Sequence, residues 1–272
     1  MTLNWNNKRK ISIAVIVFAA LAVAVIEIFF AGSLKEYEYG NDIYEILIRG
    51  IGAIVFLTLI IMLNMGNKLL PRGDRRPCEI LFLIPCFAIA INNFPIVSML
   101  SGDAYLDIAQ NATGIGIYAL KCFFVGCFEE LAFRGFVFLL ILERMKKNTV
   151  GAFMSIFISS VLFGVIHIVN LFAGADPVGV LLQVGYSALI GALCSVVLIK
   201  TRNLWYCVAL HAIYNFCGGV VPAFGGGVIW TVAEVVVTVV LSLIVTAYVV
   251  FEFVRIPSGD IELLLNNKKE SA

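Results

Sequence analysis

Eight mostly apolar stretches, each about 20 residues or longer, follow one another along the chain. They run roughly Ile11–Ala31, Ile46–Met65, Ile80–Leu100, Gly114–Leu142, Val150–Phe172, Val178–Ile199, Leu204–Pro222 and Val228–Phe253. A stretch of this length can cross the hydrocarbon core of a bilayer as a helix. Inside that core every backbone N–H and C=O needs a partner within the chain, and a helix supplies one for nearly all of them. The expected fold is therefore all-α: a polytopic membrane protein of about eight transmembrane helices. Composition agrees, since 61% of the 272 residues are hydrophobic and 14% charged. A soluble domain is nearer half apolar and a quarter charged. A soluble domain, a disordered chain and a nucleic-acid binder are all excluded, and a net charge of +1 offers phosphate no basic surplus.

The charges inform through their placement. Lys8, Arg9 and Lys10 precede the first span. Lys68, Arg72, Arg75 and Arg76 lie between the second and third. Arg144, Lys146 and Lys147 follow the fourth, Lys200 and Arg202 the sixth, and Arg255, Lys268 and Lys269 the eighth. The intervening loops carry Glu36, Glu38 and Asp42, then Asp103 and Asp107, then Asp176. Positive loops face the cytoplasm, so both termini are expected there. The apolar run after Lys10 is too long for a usual signal peptide and reads as a retained span. The organisation expected is a tail over 1–10, one membrane domain over 11–254 and a second cytoplasmic tail over 255–272. No internal repeat or soluble domain interrupts it. The seven cysteines, Cys78, Cys86, Cys122, Cys127, Cys194, Cys207 and Cys217, lie mostly within apolar runs and form no C-x-x-C pair. They read as small buried hydrophobes.

An ionisable side chain at mid-membrane costs about 2.5–3.5 kcal/mol or more, which makes each one a functional candidate. The fourth span holds Glu129, Glu130 and Arg134 within six residues. Glu130 and Arg134 stand at i,i+4 and can pair on one face. Glu129 points about 100° away and has no partner in its own helix. Two adjacent carboxylates, one paired and one free, can have one pKa raised toward neutrality, which suits a general base. The only two histidines are also in spans: His167 in the fifth and His211 in the seventh, with Asn215 one turn beyond His211. Singly, each has a plain structural reading, the Glu–Arg pair as a clamp and each histidine as an interhelical hydrogen bond. Asn92 and Asn93 are expected to bond to neighbouring helices or to loosen the third span beside Pro85 and Pro95. Glu234 lies near the outer end of the last span, within reach of water.

Taken together, three segments resemble the signature of the CAAX-protease and bacteriocin-processing (CPBP, or Abi) family of intramembrane endopeptidases. They are Glu129-Glu130 with Arg134, Phe163 with His167, and His211 with Asn215, on three spans in the family's order. The resemblance covers roughly residues 115–220. It implies a helical membrane protease acting on a peptide or membrane-protein substrate. The best-known members trim prenylated CAAX proteins, and others are linked to peptide-pheromone processing or to bacteriocin maturation and immunity. The favoured mechanism needs no metal. Glu129, aided by His167, activates a water, His211 and Asn215 donate to the oxyanion, and Glu130 with Arg134 fixes and tunes Glu129. The alternative is a zinc ion held by Glu129, His167 and His211, although the compact H-E-x-x-H motif is missing. Readings from other classes are a proton-coupled transporter, since buried Glu and His also make relays, and a non-catalytic immunity protein. The expected location is the plasma membrane. Neither substrate identity nor oligomeric state is written in the sequence. One tension stands: counting about 1.5 Å per residue from the cytoplasmic helix ends places His167 about 25 Å deep, Glu129 about 20 Å and His211 about 10 Å.

Overall fold

The computed structural model describes residues 37–62, 77–172 and 174–265. The first expected span and most of the basic tail and loop residues, among them Lys8–Lys10, Lys68–Arg76 and Lys268–Lys269, lie outside the described residues. In chain order the elements are α1 (Gly40–Met62), α2 (Pro77–Ile91), α3 (Ile96–Leu100), β1 (Ala104–Leu106) and α4 (Ile108–Ala132). A π-helical segment, Phe133–Phe138, joins α4 to α5 (Leu139–Arg144). Next come α6 (Thr149–Ile166), a 3₁₀ turn (His167–Leu171), α7 (Pro177–Thr201), α8 (Leu204–Phe224), β2 (Gly225–Gly227), α9 (Val232–Val254) and α10 (Ser258–Leu265).

Among the described residues, five helices are long and apolar enough to cross a membrane: α1, α6 with its 3₁₀ turn, α7, α8 and α9. The chain is thus an all-α, multi-pass integral membrane protein. The long helices begin where short polar side chains can satisfy the free N–H groups of the first turn. Asp107 accepts from Gln110 N, Asn148 from Gly151 N, Asp176 from Gly179 N and Asn203 from Trp205 N. Each such cap is worth about 1 kcal/mol. Arg202, at φ 52°, closes α7 in the left-handed conformation that ends many helices. The chain then turns directly into α8.

The third expected span is not one helix. It breaks at Asn92–Pro95, leaving α2 and the short α3. Pro95 supplies no N–H to continue the ladder. The two asparagines bond away from their own helix, Asn93 Nδ2 to Tyr214 O of α8 at 2.9 Å and Asn92 Nδ2 to Thr238 Oγ1 of α9 at 3.3 Å. Glu234 does not reach water. It is 1% exposed and accepts from Ser98 N at 2.9 Å, while Ser98 Oγ donates to Ile229 O. This carboxylate ties the start of α9 to α3 because a buried N–H and a buried anion each need a partner.

Helix α4 runs between α1 and α8, and α6 pairs with α7. Close approach in both layers depends on glycine. A Cβ on Gly126 would lie 3.1 Å from Val208 O of α8, and one on Gly164 would lie 2.5 Å from Val184 O of α7. Without lipid-excluding water to drive them together, membrane helices associate through such small-residue contacts. Gly164→Leu is expected to push α6 from α7 and to cost about 1–3 kcal/mol. Thermal unfolding in detergent measures this, and an unchanged midpoint would contradict the packing described.

Candidate active site

The site is built around one carboxylate oxygen. Glu130 is fully buried and Arg134 is 1% exposed. Arg134 Nη1 donates to Glu130 Oε1 at 3.0 Å, and His211 Nδ1 lies 2.7 Å from the same oxygen. Arg134 belongs to the π-helical segment that follows α4. Such widened turns recur at functional sites because they redirect side chains without breaking the helix. Its guanidinium lies over the Phe163 ring, 4.3 Å from the centroid, a contact that suits a desolvated cation. Space for it comes from α7, where a Cβ on Gly191 would meet Arg134 Nη2 at 2.5 Å.

Glu129 is the more open acid, with 12% of its side chain exposed. Its Oε2 lies 3.5 Å from His211 Nε2. His211 therefore stands between the two glutamates, Nδ1 toward Glu130 and Nε2 toward Glu129. With Nδ1–H donated to Glu130, Nε2 is the nitrogen left to exchange a proton at the Glu129 side. Gly126 makes this reach possible, since it lets α8 approach α4 one turn before Glu129. His167 is half-buried at the junction of α6 with the 3₁₀ turn. Phe163 packs between the histidines, edge-on to both, at 5.3 Å from the His167 ring and 5.8 Å from His211. The rings of His167 and His211 thus both contact one phenyl group. Asn215 is half-buried, one turn beyond His211 on α8.

Of the residues expected at the site, Glu129, Glu130, Arg134, Phe163, His167 and His211 are brought together, from α4 with its π-helical extension, from α6 and from α8. The donor atoms of Glu129, His167 and His211 do not gather as zinc ligands do. Among the described residues the only three such donors within 4.8 Å of one another are on Glu130, Cys194 and Cys207. Those two thiols donate to each other's backbone carbonyls, Cys207 to Cys194 O at 3.1 Å and Cys194 to Cys207 O at 3.9 Å. They join α7 to α8, and no described cysteine is in a disulfide.

Two tyrosines escaped the sequence reading. Tyr186 of α7 and Tyr214 of α8 touch, with ring centroids 6.0 Å apart, and both line an apolar cavity of about 490 Å³ walled largely by α7 and α9. Nothing in a single sequence marks these tyrosines, because aromatic residues are common throughout the spans.

Two glutamates and two histidines thus cluster inside a multi-pass helical bundle. Residues 111–217 match the family model described as type II CAAX prenyl endopeptidase Rce1-like. The match agrees with the CPBP resemblance of the three motifs, and the matched segment contains the whole cluster. It points to a membrane protease. Comparisons with curated proteins and with solved structures found no match.

Removing one partner of a buried ion pair costs about 3–5 kcal/mol, whereas removing both costs far less. Arg134→Met should therefore destabilise strongly, and the double variant Glu130→Gln with Arg134→Met should recover part of the loss. Unfolding midpoints of the two variants test this, and a double variant less stable than Arg134→Met alone would contradict it.

Proposed function

We propose that the protein is an endopeptidase that hydrolyses a peptide bond within the membrane by metal-free activation of water. The observation that supports this best is the placement of His211 between a fully buried, ion-paired Glu130 and a partly open Glu129. A partly exposed carboxylate is suited to take a proton from water, and its sealed neighbour is not. Glu129 acts as the general base. His167, on the far side of Phe163, shares the proton and passes it to the leaving amine. His211 Nε2, in its protonated form, donates to the developing oxyanion, with Asn215 as second donor. Each such donor contributes about 2.7–4 kcal/mol to transition-state stabilisation in other hydrolases. Glu130, held by Arg134, orients His211 through Nδ1 and stabilises its positive charge.

The substrate is a peptide or membrane protein of the CAAX or peptide-precursor kind, with its apolar portion presented from the bilayer. The topology proposed with this function has eight spans, both termini in the cytoplasm and the plasma membrane as location. A zinc-dependent protease using Glu129, His167 and His211 is the competing mechanism, and the spread of their donor atoms weighs against it.

The test is cleavage by the purified full-length protein in detergent, assayed on a panel of prenylated and unprenylated peptides. Glu129→Gln and His167→Ala should each lower kcat by about 10²–10⁴-fold, with normal folding, and a strong chelator should have no effect. Activity lost to the chelator and restored by zinc would establish the competing mechanism. Cleavage retained in Glu129→Gln would remove Glu129 as the base.

A further inference from the structure

His167 lies at an exposed joint. The α-helix ends at Ile166 and the 3₁₀ turn His167–Leu171 begins at the histidine itself. That turn has no fully buried residue. Ile168, Val169 and Leu171 are each at least 40% exposed, so the turn meets the protein chiefly on the side that packs against α7. A short 3₁₀ turn has poor hydrogen-bond geometry of its own. Segments with few buried contacts open at low free energy. A catalytic group carried on such a turn needs an external constraint, because a misplacement of about 1 Å can cost about a hundredfold in rate.

One constraint is present. Asn170 Nδ2, one turn beyond His167, donates to Gln183 Oε1 of α7 at 2.8 Å. Among the described residues it is the one side-chain hydrogen bond that leaves the turn. Both amides are half-buried, where water competes poorly. Helix α7 is a firm anchor: the same helix presents Gly191 to Arg134 and packs along α6 at Gly164. The backbone adds a second clasp on the same residue, since Ala175 N donates to Asn170 O at 3.1 Å.

We propose that the Asn170–Gln183 amide pair is the positioning device for His167, fixing the turn so that the imidazole stays against Phe163. Neither amide touches the reacting atoms. They act through the histidine, and the proposal rests on the role given to His167 above.

The experiment uses full-length protein in detergent and a peptide that the wild type cleaves. Gln183→Leu preserves size and removes the acceptor. The paired exchange Asn170→Gln with Gln183→Asn retains donor, acceptor and combined length. Gln183→Leu is expected to lower kcat by about ten- to a hundredfold with KM and the unfolding midpoint unchanged, and to speed amide hydrogen exchange in residues 167–171. The paired exchange should restore both. In a His167→Ala background Gln183→Leu should have no further effect on the residual rate. Unchanged exchange in Gln183→Leu would overturn the tether. Faster exchange with unchanged kcat, or an equal loss of rate in the His167→Ala background, would overturn its positioning role. Full activity of His167→Ala would instead defeat the role given to His167 above, and the exchange measurement still reads the tether on its own.

Discussion

One oxygen atom organises the interior. Glu130 Oε1 accepts from Arg134 of the π-helical segment and lies against His211 of α8, in a position with no access to water. A lone carboxylate there would be intolerably costly, and an isolated guanidinium equally so. Each is acceptable only because the other is present, so the approach of the elements that carry them is enforced as well as permitted. The hydrophobic effect gives no such direction inside a bilayer, where lipid is as apolar as leucine. The polar cluster supplies it, and glycines at 126, 164 and 191 provide the clearance.

The two glutamates are neighbours in sequence and differ in fate. A helix turns about 100° between successive residues, which sends Glu130 into the core and leaves Glu129 at its edge. That rotation separates a sealed carboxylate from a partly open one. It needs no special residue beyond the two carboxylates. Phe163 makes a comparable economy on α6, where one ring covers the Arg134 cation and spaces the two imidazoles.

Much of this was legible in the sequence. Apolar length gave the helices, and the i,i+4 spacing gave the Glu130–Arg134 pair directly, because both are local properties of the chain. The break at Asn92–Pro95 was foreshadowed by its asparagines and proline. What stayed hidden depends on which helix faces which. The partner of Glu129, the burial of Glu234 against Ser98 and the meeting of Cys194 with Cys207 all join residues distant in sequence. Periodicity fixes a residue's height within its own helix and says nothing of how helices are staggered.

Helix α9 stands apart from the rest. In its most apolar stretch 17% is buried within the protein, against 50% for α7, yet it forms a wall of the cavity beside Tyr186 and Tyr214. Among the described residues little covers the other side of this wall, which leaves that face open to lipid. The shape of that cavity is therefore a joint property of chain and bilayer. A change in membrane thickness or acyl-chain order would reshape it without altering a single residue.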